Sequence, residues 1–172
     1  MILPILIVMA IVFVLLIIII GLTVTKKTTK IKAIDDNPED IPVKRKKLLS
    51  NAEINFYRVL RTVIPEEREI SCKCRLEDIM YIENCPKKES YRGKIKNRHV
   101  DFIIYNPING YTDYAIELDD KSHETEKQVK SDHFKNQIFQ KIGMPLIRIK
   151  AKQSYQPEEL KKIIEEETKK TI

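Results

Sequence analysis

Two hydrophobic patterns divide this chain. Positions 2–24 are almost wholly apolar and hold no ionisable side chain, whereas from residue 48 onward apolar residues recur in short periodic runs between polar segments. In the second region, Ser50 followed three residues later by Glu53 has the spacing of a capping box. Ile54, Tyr57, Val59, Leu60 and Val63 then mark a helical face that ends before Pro65. Residues 69–74 alternate as a strand, with Ile70, Cys72 and Cys74 on one side. Leu76 to Ile82 reads as a short helix, and the polar, basic stretch from Lys87 to Arg98 as an exposed loop.

Two strands follow, Val100–Tyr105 and Tyr114–Asp119, joined by Asn106-Pro107-Ile108-Asn109-Gly110. Asn-Gly is strong hairpin chemistry, so the pair is expected to be antiparallel. A helix is expected from about Glu124 to Ile142, with Val129, Phe134, Ile138 and Ile142 as its buried stripe and Gly143 as its stop. Residues 145–149 form another strand, and Pro157 opens a charged terminal helix. This order predicts a layered α/β domain.

The hairpin strands carry acids where apolar residues are expected: Asp101 in the first, Glu117 and Asp119 in the second. A buried carboxylate is costly unless compensated. A turn centred near Ile108 or Asn109 sets Asp101 opposite or nearly opposite Glu117. Directly opposed residues share a sheet face, with Cβ atoms about 4.5–5.5 Å apart; a slip of one residue would separate them. Glu117 and Asp119, two apart, share a face in any register. Mg²⁺ would relieve the repulsion, since it takes one or two carboxylates plus water and phosphate oxygens; Mn²⁺ is a possible substitute. Such an ion polarises a phosphodiester and activates water. His123 suits proton transfer, and Lys121 suits charge developing on the phosphoryl group. The competing reading is a set of strand carboxylates paired with Lys or Arg.

The apolar segment changes the picture of location. As a helix its 23 residues span about 34 Å, enough for the ~30 Å core of a bilayer. It is longer than the apolar core of a signal peptide and has no basic start, so an uncleaved anchor is the preferred reading. Lys26, Lys27, Lys30 and Lys32 follow it, which sets the C-terminal domain in the cytoplasm of a single-pass cell-membrane protein. The expected organisation is an anchor at 2–24, a basic juxtamembrane linker at 25–47 and a folded domain at 48–172. Much of the net charge of +6 lies near the linker, since residues 26–48 hold eight Lys or Arg against four Asp or Glu. That excess suits anionic headgroups and is weak support for nucleic-acid binding. Three cysteines are too few for a disulfide framework and agree with a reducing compartment. Cys72, Cys74, Cys85 and His99 do not have standard zinc spacing, and the first two read as small strand hydrophobes.

Asp101 in Val-Asp-Phe, the run Glu117-Leu-Asp119-Asp120-Lys121-Ser122-His123, Asp132 with Lys135, and Gly143-Met-Pro-Leu-Ile-Arg148 resemble, in that order, an uncharacterised bacterial domain family of the PD-(D/E)XK, or restriction-endonuclease-like, superfamily. They are also similar to the very-short-patch-repair endonuclease branch. The resemblance covers roughly residues 48–165. It implies a central mixed sheet flanked by helices and Mg²⁺-dependent hydrolysis of DNA phosphodiesters. Asp101 and Glu117 would hold the metal, and His123 would match the histidine that follows this strand in the repair enzymes. Glu53 would match an acid on their first helix, although capping explains it equally well. Arg148 would match a basic residue ending the third strand, or pair with Asp132 or Asp119. The superfamily's lysine two residues after the second acid is Asp119 here, leaving Lys121 or His123 to substitute or the site degenerate. Lys96 and Arg98, just before Asp101, are candidates to contact phosphates, as are Lys135 and Arg148. The alternatives are a nuclease-fold module that binds nucleic acid or a protein partner without catalysis, and a membrane scaffold with a structural acidic cluster.

Overall fold

Ser50 opens the domain as the spacing predicts: its hydroxyl accepts the Glu53 N–H at 3.3 Å, and the Glu53 carboxylate accepts the Ser50 N–H at 2.8 Å. The computed structural model describes residues 9, 11–20, 37–119 and 126–170. The chain divides into two units, residues 1–45 and 46–172. In the first, residues 11–20 are helical, and their apolar side chains are each at least half exposed. Pro38–Asp40 forms a 3-10 turn capped by Asn37. Among the described residues no helix is long and apolar enough to cross a membrane. Residues 2–8, 10 and 21–24 of the expected anchor, and 25–36 of the linker, lie outside the described residues.

The second unit runs α1 (Asn51–Val63), β1 (Glu69–Arg75), α2 (Leu76–Ile79), α3 (Lys88–Ile95), β2 (His99–Tyr105), β3 (Thr112–Asp119), α4 (Glu126–Lys141), β4 (Leu146–Lys150) and α5 (Pro157–Lys169). The strands form one mixed sheet in the order β1-β2-β3-β4: the first two pairings are antiparallel and β3-β4 is parallel. A parallel pair needs a crossover, and α4 supplies it.

Helices cover both faces. On one, Phe56 and Leu60 of α1 and Leu160 and Ile164 of α5 pack over Phe102, Ile104, Ile116, Ile147 and Ile149. On the other, Leu76, Ile95 and Phe139 pack over Val100, Ile103 and Ala115. Full burial of side chains of this size contributes about 1.5–3 kcal/mol each, which is what holds short elements such as α2 in place.

Three local expectations are corrected. The basic stretch read as a loop is in part the helix α3; it escapes periodicity because it buries only Ile95. Ile70 and Cys72 pack on the α1/α5 side but Cys74 on the other, because Lys73 between them has a φ of 57° and turns the strand. On α4, Phe139 and Lys135 are buried, whereas Val129 and Ile142 are 52% and 44% exposed. The helix therefore turns a charged residue inward at a position where the sequence offered only apolar candidates.

Candidate functional site: a carboxylate and lysine cluster at the end of β3

The hairpin turn fixes where the acids lie. Gly110 takes a φ of 76°, a conformation that costs glycine little, and its N–H reaches the Asn106 carbonyl at 2.8 Å. The Asn106 side chain accepts the Ile108 N–H at 2.8 Å. The ladder pairs Ile103 with Ala115 and Phe102 with Ile116; Asp101 and Glu117 are next in that register. There the Asp101 carboxylate itself accepts the backbone N–H of Leu118 at 2.9 Å, so this side chain bridges the two strands.

Each acid has a lysine. Lys73 lies opposite Asp101 in the β1-β2 register and donates to Asp101 Oδ1 at 2.7 Å and to Glu53 Oε1 at 2.6 Å. One oxygen of Glu53 therefore caps α1, as its spacing predicts, and the other accepts from Lys73. Burial pulls the Lys73 ammonium down, but its hydrogen bonds to Asp101 and Glu53 outweigh it and hold its pKa above the usual lysine value. The sequence reading missed Lys73, because a lysine at an alternating position of a strand reads as solvent-facing.

Glu117 is buried, and Lys135 of α4, buried beside it, donates to its carboxylate. Arg148, its parallel partner on β4, lies 3.6 Å away. Burial pushes the Glu117 carboxyl up; Lys135 and Arg148 oppose that rise, Asp101 adds to it, and the net shift is upward. Arg148 also pairs with Asp119 at 2.8 Å and Asp132 at 3.3 Å, and donates to Asn136 at 3.1 Å. Both ion pairs weighed for it from the sequence are present. Lys135, expected to contact nucleic acid, is turned inward on Glu117 and stands 3.4 Å from Asp132.

The remaining candidates divide. Lys96 is exposed at the end of α3. Arg98 is half-buried, its guanidinium 4.4 Å from the centre of the Phe134 ring, and lines a recess with Asp101, Glu117 and Lys135. His123 and Lys121 lie outside the described residues. Cys74 donates to Ser71 Oγ at 3.1 Å and packs on the opposite side of the sheet from Cys72, which separates the residues weighed for zinc.

The charges in the cluster do not cancel. Glu53 and Asp101 share Lys73, and Glu117, Asp119 and Asp132 share Lys135 and Arg148. Five carboxylates thus share three ion-paired cations, and the Arg98 guanidinium lines the recess beside Asp101 and Glu117. Carboxylates still outnumber cations, and Asp101 and Glu117 line one recess. Among the described residues no group of three or more His, Cys, Asp or Glu is arranged to hold a metal ion, so a cation here would rest on Asp101 and Glu117 with water completing its shell. That donor set fits Mg²⁺, which keeps several waters and takes one or two carboxylates.

A family model matches residues 45–168 of the chain. No curated protein and no solved structure matches it.

Proposed function

The chain belongs to the family of that model, described as "Protein of unknown function (DUF2726)", and we propose that it is a membrane-anchored, Mg²⁺-dependent nuclease hydrolysing nucleic-acid phosphodiester bonds, most simply those of DNA. The observation that carries this reading is the adjoining pair Asp101 and Glu117, which line one recess within a cluster where carboxylates outnumber cations. The element order of α1, three antiparallel strands, α4 and a parallel fourth strand supports membership of the restriction-endonuclease-like superfamily. The site also lies at the carboxyl end of β3, beside a parallel neighbour, where ligands of open α/β sheets commonly bind.

When bound at Asp101 and Glu117, the cation would polarise the phosphodiester and lower the pKa of a coordinated water. The chain's own residues do the rest. Lys73 and the Leu118 N–H fix the two oxygens of Asp101. Lys135 brings an ammonium to Glu117 from α4, which answers the absence of a lysine at position 119: the charge arrives from a helix and not from the strand. Arg148 pairs with Asp119 and Asp132, and Lys135 also stands by Asp132, which reduces the repulsion these acids exert on an incoming phosphate. Arg98 lines the recess, Lys96 remains a candidate phosphate contact, and His123 and Lys121 remain the candidates for proton transfer and charge stabilisation. The exposed apolar side chains of residues 11–20 support the membrane anchor.

The ion pairs also favour a second reading. With Lys73, Lys135 and Arg148 each held by carboxylates, the cluster is substantially compensated without a metal, as in a nuclease-fold module that binds nucleic acid or a protein partner but does not cut. One experiment separates the two. Full-length protein in detergent is incubated with supercoiled DNA and with single-stranded RNA, in Mg²⁺, Mn²⁺ or chelator. The nuclease reading expects cleavage with metal, none with chelator, and a loss of about 10²-fold or more in Asp101→Ala and Glu117→Ala, the scale on which single electrostatic groups act in catalysis. Equal cleavage by the variants sinks the assignment. Salt-sensitive binding without cleavage establishes the second reading.

A further inference from the structure

A second cavity lies between α2, the segment after it, α3 and α4, on the far side of Phe134 from the carboxylates. It encloses about 630 Å³, within the range of roughly 300–1,000 Å³ typical of small-ligand sites. Met80, Tyr81, Tyr91, Phe134 and Ile142 form much of its wall. Tyr81 is 83% exposed, and Tyr91 and Ile142 are 41% and 44% exposed. Tyr81, Tyr91 and Ile142 are therefore open to a visitor, while Met80 and Phe134 pack against the core beneath them.

The rim has a sign. Lys94 and Lys141 border the cavity against the single acid Glu83, with the Lys94 ammonium 5.5 Å from the centre of the Tyr91 ring. Residues 87–98 carry Lys87, Lys88, Arg92, Lys94, Lys96 and Arg98 against the single acid Glu89. Glu77, the nearby acid of α2, is turned to Arg92 at 3.1 Å and Arg75 at 3.7 Å. An apolar peptide helix would need the floor but not this rim. A polyanion with flat apolar groups uses both: unpaired bases stack on aromatic side chains while their phosphates meet lysine and arginine.

The cavity neighbours the proposed site through Phe134 and Arg98. Phe134 faces it, and the next residue, Lys135, is bonded to Glu117. Arg98 lies over the Phe134 ring on one side and lines the recess with Asp101 and Glu117 on the other. Arg98 and Phe134 are thus the side chains that separate the recess holding those acids from the cavity.

We propose that this cavity receives an unpaired nucleobase of the strand engaged at Asp101 and Glu117, which makes single-stranded or locally opened nucleic acid the preferred partner. The proposal rests on the nuclease reading for the position of the strand. Its test does not need catalysis. Full-length protein in chelator is titrated with a fluorescent thymidine oligonucleotide, its uridine counterpart, an abasic sugar-phosphate strand of equal length and a duplex, and binding is read by anisotropy. The chain has no tryptophan and seven tyrosines, so tyrosine quenching that is lost in the Tyr81→Ser, Tyr91→Ser variant reports stacking at the cavity.

Base-bearing strands are expected to bind about tenfold or more tightly than the abasic strand, in line with the cost of losing base–aromatic stacking. The double variant Tyr81→Ser, Tyr91→Ser should abolish that difference and leave the salt dependence unchanged; Tyr81→Ser alone, at a highly exposed position, should reduce it without touching the core. A preference for thymidine over uridine strands, or the reverse, identifies the nucleic acid. Equal binding of the abasic strand, an undiminished difference in the double variant, or no binding of any strand overturns the proposal. Metal-dependent cleavage by wild-type protein without a base preference removes the base pocket alone. A base preference without cleavage removes the hydrolase reading alone.

Discussion

Lys73 combines two features that rarely occur together in a strand. Its φ of 57° is a left-handed conformation, which costs a residue with a Cβ roughly 1–2 kcal/mol, and its ammonium holds Glu53 and Asp101 together. The ion pairs offset the strain, and the strain aims the side chain. Lys73→Ala and Lys73→Gly both remove the ammonium, but only glycine also relieves the backbone. The glycine variant should therefore be the more stable of the two by about 1 kcal/mol in urea unfolding; equal stability would mean that the backbone there is unstrained. Asp101 and Glu117 could be picked out from the sequence because each interrupts an apolar strand. Lys73 and Lys135 could not be assigned their partners, since nothing in the spacing says that one lies across β1 from Asp101 or that α4 turns the other inward. A lysine's burial is decided by the fold around it.

The elements that declare themselves locally were the legible ones. The Ser50 and Glu53 spacing gives α1 its start, and the Asn-Gly turn gives the hairpin its register, hence the Asp101–Glu117 neighbourhood. The helix α3 was read as a loop because a single buried Ile95 on the Leu76 core, and not an amphipathic period, supports it. The stripe assigned to α4 missed Phe139 because the inward face includes Lys135, which a count of apolar residues passes over. At this scale α1 links stability to the site, since Glu53 caps the helix with one oxygen and holds Lys73 with the other. Ser50→Ala should cost about 1 kcal/mol of stability, measured as a lower urea midpoint with unchanged slope. An unchanged midpoint would show that the cap contributes nothing and that Glu53 is held by Lys73 alone.

In the folded unit as a whole, a mixed sheet covered on both faces brings six segments to one place: the first turn of α1, the strand positions Lys73 of β1, Asp101 of β2 and Arg148 of β4, the end of β3 and the middle of α4. None of these carries a site by itself. Together they assemble five acids and three bases in a partly buried setting where charge imbalance is expensive. The account's central claim is that a divalent cation completes this cluster. The most direct measurement is a Mn²⁺ titration of full-length protein followed by electron paramagnetic resonance, with Mg²⁺ as competitor. Asp101→Asn and Glu117→Gln are compared with Asp113→Asn, an acid paired with Arg68 at 2.5 Å and outside the cluster. The account predicts one Mn²⁺ per chain, displaced by Mg²⁺, with affinity at least about tenfold weaker in the two cluster variants and unchanged in the third. Absence of Mn²⁺ binding, or equal affinity in all three variants, would contradict it.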